Sequence, residues 1–340
     1  MMKKIVCCLL LTLALAVLTQ PQVLRSLTDA ARSRLAPVDG GASEDAGAQL
    51  FAQQVGAASV SDSLEVTLYY RYGGTALLGA QRARLDITRE ETVARSIAER
   101  LVEGPESGYS RLSGVFPPGT QVISVTGEGA TVFVTLSRAF LGAPQGAPAD
   151  WEDLESWQEE AALRRTLAVQ SLALALTEDG RCQRVQVLVA DTDDDMPERI
   201  PLAWFDRSQT RMATVLGACA RDESVLLTPG RAMETLLRAW QARDWAVLFA
   251  LTAAGEGEQA LTQTAFEALM RERDVSLLSW QTSEGTVSPD GQRATVVLSA
   301  QVRAANGGDA EIVRESVPLV RVQDNWAMTL GTLTSLMIRD

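Results

Sequence analysis

The sequence predicts an α+β protein with two domains joined by a bridging segment. The first observation behind this prediction is element order: residues 63–190 read as ββαββαβ, and residues 228–340 read as three helices followed by a four-stranded antiparallel meander. The second is length, because 340 residues exceed the usual domain size of about 100 to 200 residues. With 46% hydrophobic and 22% charged residues, the chain can form ordinary globular cores.

The amino acids that are missing exclude several kinds of chemistry. The chain has no histidine, which excludes Ser-His-Asp and Cys-His nucleophilic sites and the commonest zinc ligand sets. Its only lysines are Lys3 and Lys4, so no Schiff-base or phosphate-loop lysine can lie downstream. A net charge of −12 repels nucleic acid and anionic lipid surfaces. We therefore expect a protein that is not an enzyme, holds no cofactor and binds no nucleic acid.

The N-terminus has the layout of an export signal. Two lysines precede an uncharged apolar run at residues 5–18, and a polar stretch follows. As a helix the run would span about 21 Å, short of the roughly 30 Å hydrocarbon core, which favours a cleaved signal peptide at residues 1–19. Because no small-x-small cleavage site follows Leu18, an uncleaved signal anchor stays open. We expect an extracytoplasmic protein, secreted or membrane-attached only through this segment, with a flexible linker at residues 20–62.

The first predicted domain, residues 63–190, opens with a hairpin. Residues 64–72 alternate strictly between apolar and polar, which predicts a strand with one buried face and Arg71 on the polar face. A Gly-Gly pair supplies the turn to a second strand at residues 77–87. Further strands are predicted at residues 121–126, 131–137 and 184–189.

Two helices are predicted in this domain. Thr88 and Glu91 form a capping-box pattern before a short amphipathic helix from Val93 that a Gly-Pro pair ends at residues 104–105. Residues 157–177 are apolar over much of their helical circumference, so the second helix must be largely covered. Its adjacent arginines, Arg164 and Arg165, are expected on a solvated edge or bracing local carboxylates; the alternative is pairing with an acidic partner.

A second domain is predicted at residues 228–340, after a bridging segment at residues 191–227. Its start is marked by Thr228 and Pro229, a cap residue followed by proline at the first helical position. Helices are predicted at residues 230–242, 245–252 and 263–273, and strands at 275–287, 293–303, 312–322 and 325–332.

A group of residues in the first domain forms a specific series. A Gly-Pro pair ends a helix, Pro-Gly-Thr leads into a strand, and a Val-x-Val-x-Leu-Ser strand follows. The residues of this series are Leu101, Gly104, Pro105, Pro118, Gly119, Thr120, Leu136 and Ser137. The series resembles the signature of the GerMN domain family, and the resemblance extends from about Leu64 to Val189. It implies an α+β sandwich whose signature residues are structural, in non-enzymatic modules of sporulation, germination and envelope assemblies.

The chain departs from the family pattern in three respects. It carries one copy of the domain where the germination protein has two, which bears on ring assembly. It has no lipid-attachment cysteine after the apolar run, since Cys7 and Cys8 precede that run. The residues at 190–192 replace an Asp-Gly turn after the last strand.

The second domain resembles an NTF2-like cone, in which three helices cover a curved antiparallel sheet. The resemblance is based on element order and on the pairs Asp244-Trp245 and Asn325-Trp326. Such cones occur both as enzymes and as inert modules, so the fold assigns no reaction. Trp240, Trp245 and Trp326 are candidates for a sugar or peptide pocket, and the alternative is that they fill the cone.

No metal site is predicted. The acidic run at residues 191–195 alternates like a calcium loop, but it lacks the glycine at the sixth position and the closing glutamate. Cys182 and Cys219 are either free thiols or one disulfide in an exported chain.

Three functional hypotheses follow from the sequence. The first is an exported, non-catalytic envelope protein that binds other envelope or sporulation proteins, in sporulation or germination. The second is a cell-wall or small-molecule binding protein or enzyme that uses carboxylates in the cone, with Trp240 and Trp326 as substrate platforms. The third is an accessory partner of a membrane sensor kinase.

Overall fold

The structure, a computed structural model, describes residues 63–86, 92–208, 212–304 and 308–337. The predicted signal and linker lie outside these residues, as do Thr88 and Glu91. In the first region, residues 63–227, the elements are β1 (Ser63–Tyr72), β2 (Leu78–Asp86), α1 (Val93–Glu103), β3 (Leu112–Ser113), β4 (Val122–Glu128), β5 (Thr131–Ser137), α2 (Glu155–Leu176), β6 (Arg184–Ala190), β7 (Glu198–Arg199) and β8 (Cys219–Ala220). In the second region, residues 228–337, they are α3 (Pro229–Ala242), α4 (Trp245–Ala250), β9 (Thr252–Ala253), α5 (Gln263–Arg273), β10 (Ser276–Thr282), β11 (Thr286–Val287), β12 (Arg293–Arg303), β13 (Asp309–Val322), β14 (Asn325–Thr329) and α6 (Leu330–Met337).

Two sheets and two helices build the first region. One sheet has the order β2-β1-β3, and the other has the order β4-β5-β6-β7 with β8 also pairing β6. Strands β5 and β6 are parallel, because α2 crosses over between them. Helix α2 packs against both β1 and β6, and every residue from Leu167 to Leu176 except Gln170 is buried, which confirms that the helix is largely covered. The predicted α+β architecture of this region is therefore confirmed.

Strand β1 is more deeply buried than its alternating pattern predicts. From Leu68 to Tyr72 every residue is buried, and Arg71 is only 7% exposed, whereas Leu64, predicted to point inward, is 41% exposed. One face is covered at Tyr70, whose hydroxyl donates to Arg100 O of α1 at 2.9 Å. The other face lies against α2. The prediction of one solvated face is thus wrong for the second half of the strand, because packing covers both sides.

Helix α1 begins at Val93, as predicted. The Thr92 hydroxyl caps it by accepting a hydrogen bond from the backbone N–H of Arg95 at 3.2 Å. The capping-box pattern of Thr88 and Glu91 lies outside the described residues. The predicted end is confirmed, since Gly104 forms the C-cap with φ of +99°, a conformation that favours glycine.

The second region has the predicted sequence of helices followed by an antiparallel meander. Its sheet has the order β10-β12-β13-β14-β9, with β11 pairing β12 and β9 parallel to β14. The predicted last strand is too long, because β14 ends at Thr329 and the chain turns into α6. The Thr329 hydroxyl accepts from the backbone N–H of Thr332 at 3.2 Å, and the apolar face of α6 at Leu333 and Leu336 is buried.

A buried amide joins the two regions, which belong to one compact unit. Asn325, 3% exposed, accepts a hydrogen bond from the backbone N–H of Ala80 at 2.8 Å and donates to the carbonyl of the same residue at 2.9 Å. The amide thereby pairs with backbone N–H and C=O groups of β2 in the way that a neighbouring strand would. Gly79 makes this approach possible, since a Cβ there would lie 2.4 Å from Asn325 Oδ1. A further contact runs from Tyr72, whose hydroxyl donates to Ala250 O at 3.0 Å.

We expect Gly79→Ala to destabilise the protein by about 1–3 kcal/mol, because the added methyl group must displace the Asn325 amide and leave buried polar groups unpaired. Urea unfolding measures the change. The matched control is Gly217→Ala, where a Cβ meets no atom within 4 Å. Equal stability of the two variants would show that the close approach at Gly79 does not matter.

Candidate binding site around Arg165

Three short 3-10 helices converge on one side chain of α2. They span Arg138–Leu141, Trp151–Asp153 and Leu202–Trp204, and the side chain is that of Arg165. Its Nη2 donates to the carbonyl of Leu141 at 2.8 Å and to that of Gly142 at 3.1 Å. The guanidinium therefore holds the end of the first 3-10 helix against α2.

Two indole rings accompany this guanidinium. Its Cζ atom lies 5.8 Å from the ring centroid of Trp151 and 4.8 Å from that of Trp204, within the range of cation–π attraction. Arg165 is 3% exposed, and burial lowers its pKa to about 10, against the opposing charge of Glu152. The group thus keeps its positive charge at neutral pH, although it forms no salt bridge with the residues that the structure describes.

The hydrogen-bonding capacity of Arg165 is not filled. Nε is buried and has no hydrogen-bond partner among the described residues, and both bonds to carbonyls use Nη2. A cavity of about 310 Å³ adjoins the side chain. Its lining residues combine indole, small apolar and charged groups: Trp151, Glu152, Gln158, Ala162, Arg165, Ala203, Trp204 and Arg207. The arrangement supplies a desolvated cation beside an apolar pocket, which is suited to binding an anionic group.

The neighbouring arginine has a different environment. Arg164 Nε donates to Glu160 Oε1 at 2.6 Å, which confirms the expectation that it braces a local carboxylate. Glu160 also accepts from both Nη atoms of Arg71, whose Nε donates to Thr75 O at 2.7 Å. This cluster is internally paired. Arg165 neither lies on a solvated edge nor braces a carboxylate, so that expectation is wrong for it.

A signal for Arg165 was present in the sequence. Residues 161, 165, 168, 169 and 172 recur at helical spacing, and all are buried. An arginine at the centre of such a stripe is a candidate for a buried charge. The two tryptophans could not be placed from spacing, because they lie in short helices on either side of α2 in the chain.

The family-signature residues have structural environments. Leu101 and Leu136 are fully buried. The Thr120 hydroxyl donates to Pro117 O at 2.7 Å, and the Ser137 hydroxyl accepts from the backbone N–H of Gln121 at 3.0 Å. The glycines at positions 104 and 119 adopt φ of +99° and +80°. None of the eight signature residues, which also include Pro105 and Pro118, lines the Arg165 cavity.

The three candidate tryptophans of the second region have separate environments. Trp240 is 1% exposed and donates from Nε1 to Val275 O at 2.8 Å, within the core. Trp245 is partly buried at the start of α4. Trp326 lines a groove of about 390 Å³ between the regions, with the Cζ of Arg321 5.8 Å from its ring centroid. Neither Trp240 nor Trp245 lines that groove.

The acidic turn and the cysteines are also placed. Asp195 Oδ2 accepts from the backbone N–H and the hydroxyl of Thr192, both at 2.9 Å. Within the described residues no group of three or more His, Cys, Asp or Glu side chains could hold a metal ion. Cys182 and Cys219 are free thiols, and β8 pairs with β6 so that Cys219 lies opposite Val185.

None of the helices in the described ranges is long and apolar enough to span a membrane.

Fold and site together define an α+β domain in which a parallel βαβ unit carries a charged pocket. Residues 67–195 match the family described as Germane: sporulation and spore germination. The resemblance to the GerMN family that the sequence predicts is therefore confirmed over these residues, which are 129 of the 340 in the chain. Trp204 and Arg207 of the pocket lie beyond the matched residues.

Similar solved structures include the tandem GerMN domains of the sporulation protein GerM from Bacillus subtilis, at 19% identity and a TM-score of 0.28. The match covers 38% of this chain and 40% of that one. The first GerMN domain of the same protein matches at 19% identity and a TM-score of 0.26, over 38% of this chain and 84% of that one. A protein described as a lipoprotein from Clostridium perfringens matches at 10% identity and a TM-score of 0.26, over 48% and 89%. A comparison with curated proteins yields no match.

We expect Glu160→Gln to lower the free energy of unfolding by about 2–3 kcal/mol at neutral pH. Breaking a fully buried ion pair costs roughly 3–5 kcal/mol, and the loss here is smaller because Glu160 is 23% exposed. Burial raises the pKa of Glu160, but the hydrogen bonds and charges of Arg71 and Arg164 outweigh this and leave the pKa below its ordinary value. The carboxylate therefore stabilises the fold above the unfolded-state pKa, and this contribution disappears as the pH falls through the folded-state pKa.

Urea unfolding of both proteins from pH 7 down to about pH 3 measures this difference, which should shrink below about pH 4. The control is Glu99→Gln, which removes a pair with Arg95 that is more exposed than the Glu160 cluster and should change stability by less than about 0.5 kcal/mol. The prediction would be contradicted if Glu160→Gln lowered the free energy of unfolding no more than Glu99→Gln does. It would also be contradicted if the effect of Glu160→Gln did not change with pH.

Proposed function

We propose that this chain is an exported, non-catalytic protein of the cell envelope that acts through contacts with other envelope proteins in sporulation or germination. The observation that carries the proposal is the match of residues 67–195 to a sporulation and germination family. Its structural neighbours are described as a sporulation protein and a lipoprotein.

A non-catalytic role is supported by the chemistry of the chain. It has no histidine, and the family-signature residues pack in the core or shape the ends of helices and strands. The half-buried Glu160 is held by two arginines, and the Asp195 carboxylate is held by Thr192. These acids are engaged in local structure rather than poised together over a cavity.

Export is supported by the N-terminal sequence alone. Lys3 and Lys4, an apolar run and a polar stretch form the layout of a signal peptide or signal anchor at residues 1–19. In this proposal residues 20–62 link the segment to the folded part, and the membrane is contacted only through the N-terminal segment.

The second region is proposed to be an NTF2-like domain at residues 228–340, joined by residues 191–227 to the GerMN-like domain at residues 63–190. Its helices precede an antiparallel sheet, and Trp240 and Phe266 lie fully buried in its core. We assign it a docking role. Because Asn325 and Gly79 fix it to β2, a partner would meet both domains as one rigid surface.

Localisation of a C-terminally tagged chain tests the proposal, in the cells that produce it, through growth and starvation, with N-terminal sequencing of the recovered protein. We expect an extracytoplasmic protein that concentrates at the engulfing forespore membrane. The control is Leu13→Arg, which places a charge in the apolar run and should retain the chain in the cytoplasm. An even distribution in growing cells, or release into the medium, would contradict the sporulation role, and cytoplasmic wild type would contradict export.

A further inference from the structure

We propose that the Arg165 pocket binds a carboxylate presented by a peptide segment of a partner protein. The inference deepens the proposed function, on which it rests, by naming the chemistry of the contact. It assigns a ligand to a site that the family signature does not include, because none of the signature residues lines the cavity.

The charge of Arg165 is the first argument. A guanidinium that is 3% exposed and forms no salt bridge with the described carboxylates has lost most of its hydration, and the charge of Glu152 offsets only part of that loss. The two indole rings and two carbonyls offset part of this cost. A carboxylate bound in the cavity would supply the missing opposite charge, and charge-assisted hydrogen bonds to guanidinium are among the strongest in proteins.

The shape of the cavity is the second argument. About 310 Å³ lies at the lower end of the range for small-ligand pockets, so the site fits one side chain or chain end rather than a polymer. Two tryptophans and two alanines form apolar walls. These walls suit a carboxylate attached to an aliphatic group and give little compensation to a highly hydrated multivalent anion.

The surrounding charges limit the partner further. The lining carries two positive groups, Arg165 and Arg207, and one negative group, Glu152, which leaves one net positive charge. The chain as a whole has a net charge of −12, so its long-range electrostatic field repels a strongly acidic partner. A single carboxylate in a mainly apolar segment fits both conditions.

Calorimetric titration of the full chain with short N-acetylated peptides tests the proposal and distinguishes the two carboxylate sources. One peptide is Ala-Leu-Ala with a free C-terminal carboxylate, and a second is its C-terminal amide. A third is the amide of Ala-Glu-Ala, matched by the amide of Ala-Gln-Ala. We expect at least one carboxylate peptide to bind at least tenfold more tightly than its neutral match, and the tighter of the two identifies a chain end or a side chain.

Arg165→Met should weaken binding of that peptide at least tenfold. Arg164→Met is the matched control, since Arg164 is the adjacent residue and does not line the cavity, and it should bind within about twofold of wild type. If Arg165→Met does not fold, Ala203→Met, which narrows the cavity from its wall, replaces it with the same expectation. Equal binding of neutral and charged peptides, no binding of any peptide, or unchanged binding by the pocket variants would overturn the proposal.

These outcomes are distinguishable from failure of the proposed function. Peptide binding is measured on the isolated chain and does not depend on where the protein is located in the cell. Correct localisation without carboxylate binding would overturn only the pocket assignment. Carboxylate binding by a chain that is not exported would overturn only the envelope role.

Discussion

The burial of the C-terminal half of helix α2 is the constraint on which the first region depends. Because residues 167–176 are apolar over much of the helical circumference, this half of α2 must be covered, and it packs against β1 and β6. The Ser171 hydroxyl ties it to the first sheet by donating to Tyr69 O at 2.6 Å. The parallel pairing of β5 with β6 follows from the same crossover. The helix also removes some polar side chains from water, among them Arg165 and Ser171 of its own and Arg71 of β1.

Three arginines in or beside α2 differ in the groups that compensate for their loss of hydration. Arg71 and Arg164 converge on Glu160, and Arg71 also donates to the carbonyls of Thr75 and Gly74, each at 2.7 Å. Arg165 donates to carbonyls, lies against indole rings, forms no salt bridge and has an unpaired Nε. A fully paired network stabilises one packing arrangement, whereas burial of a charge that forms no salt bridge costs stability.

The contact between the regions has the chemistry of a sheet edge. An edge strand exposes N–H and C=O groups that attract other strands, and proteins commonly cover such edges. Here the Asn325 side chain pairs with both groups of Ala80 and takes the position of a neighbouring backbone. The absence of a side chain at Gly79 permits the approach. The same contact holds β14, and the sheet of the second region with it, against β2.

Local pattern was sufficient to predict much of this fold. Alternation predicted β1, the spacing of apolar residues predicted α1, and the Gly-Pro pair predicted where α1 ends, because these features depend on neighbours within one or two turns. The apolar circumference of residues 157–177 predicted a covered helix. The signature residues between positions 101 and 137 predicted the resemblance to the family whose model matches residues 67–195, without any knowledge of tertiary contacts.

The features that the sequence left open depend on residues far apart in the chain. Burial of both faces of β1 depends on α1 and α2, which alternation within a strand cannot report. The continuation of β14 into α6 depends on a buried apolar face. The Arg165 pocket depends on Trp151 and Trp204 meeting one residue of α2 from either side in the chain. The sequence by itself thus predicted most of the elements and the resemblance to the family whose model matches residues 67–195. The tertiary structure decided which charges lose their water, because desolvation depends on every element that packs around a group.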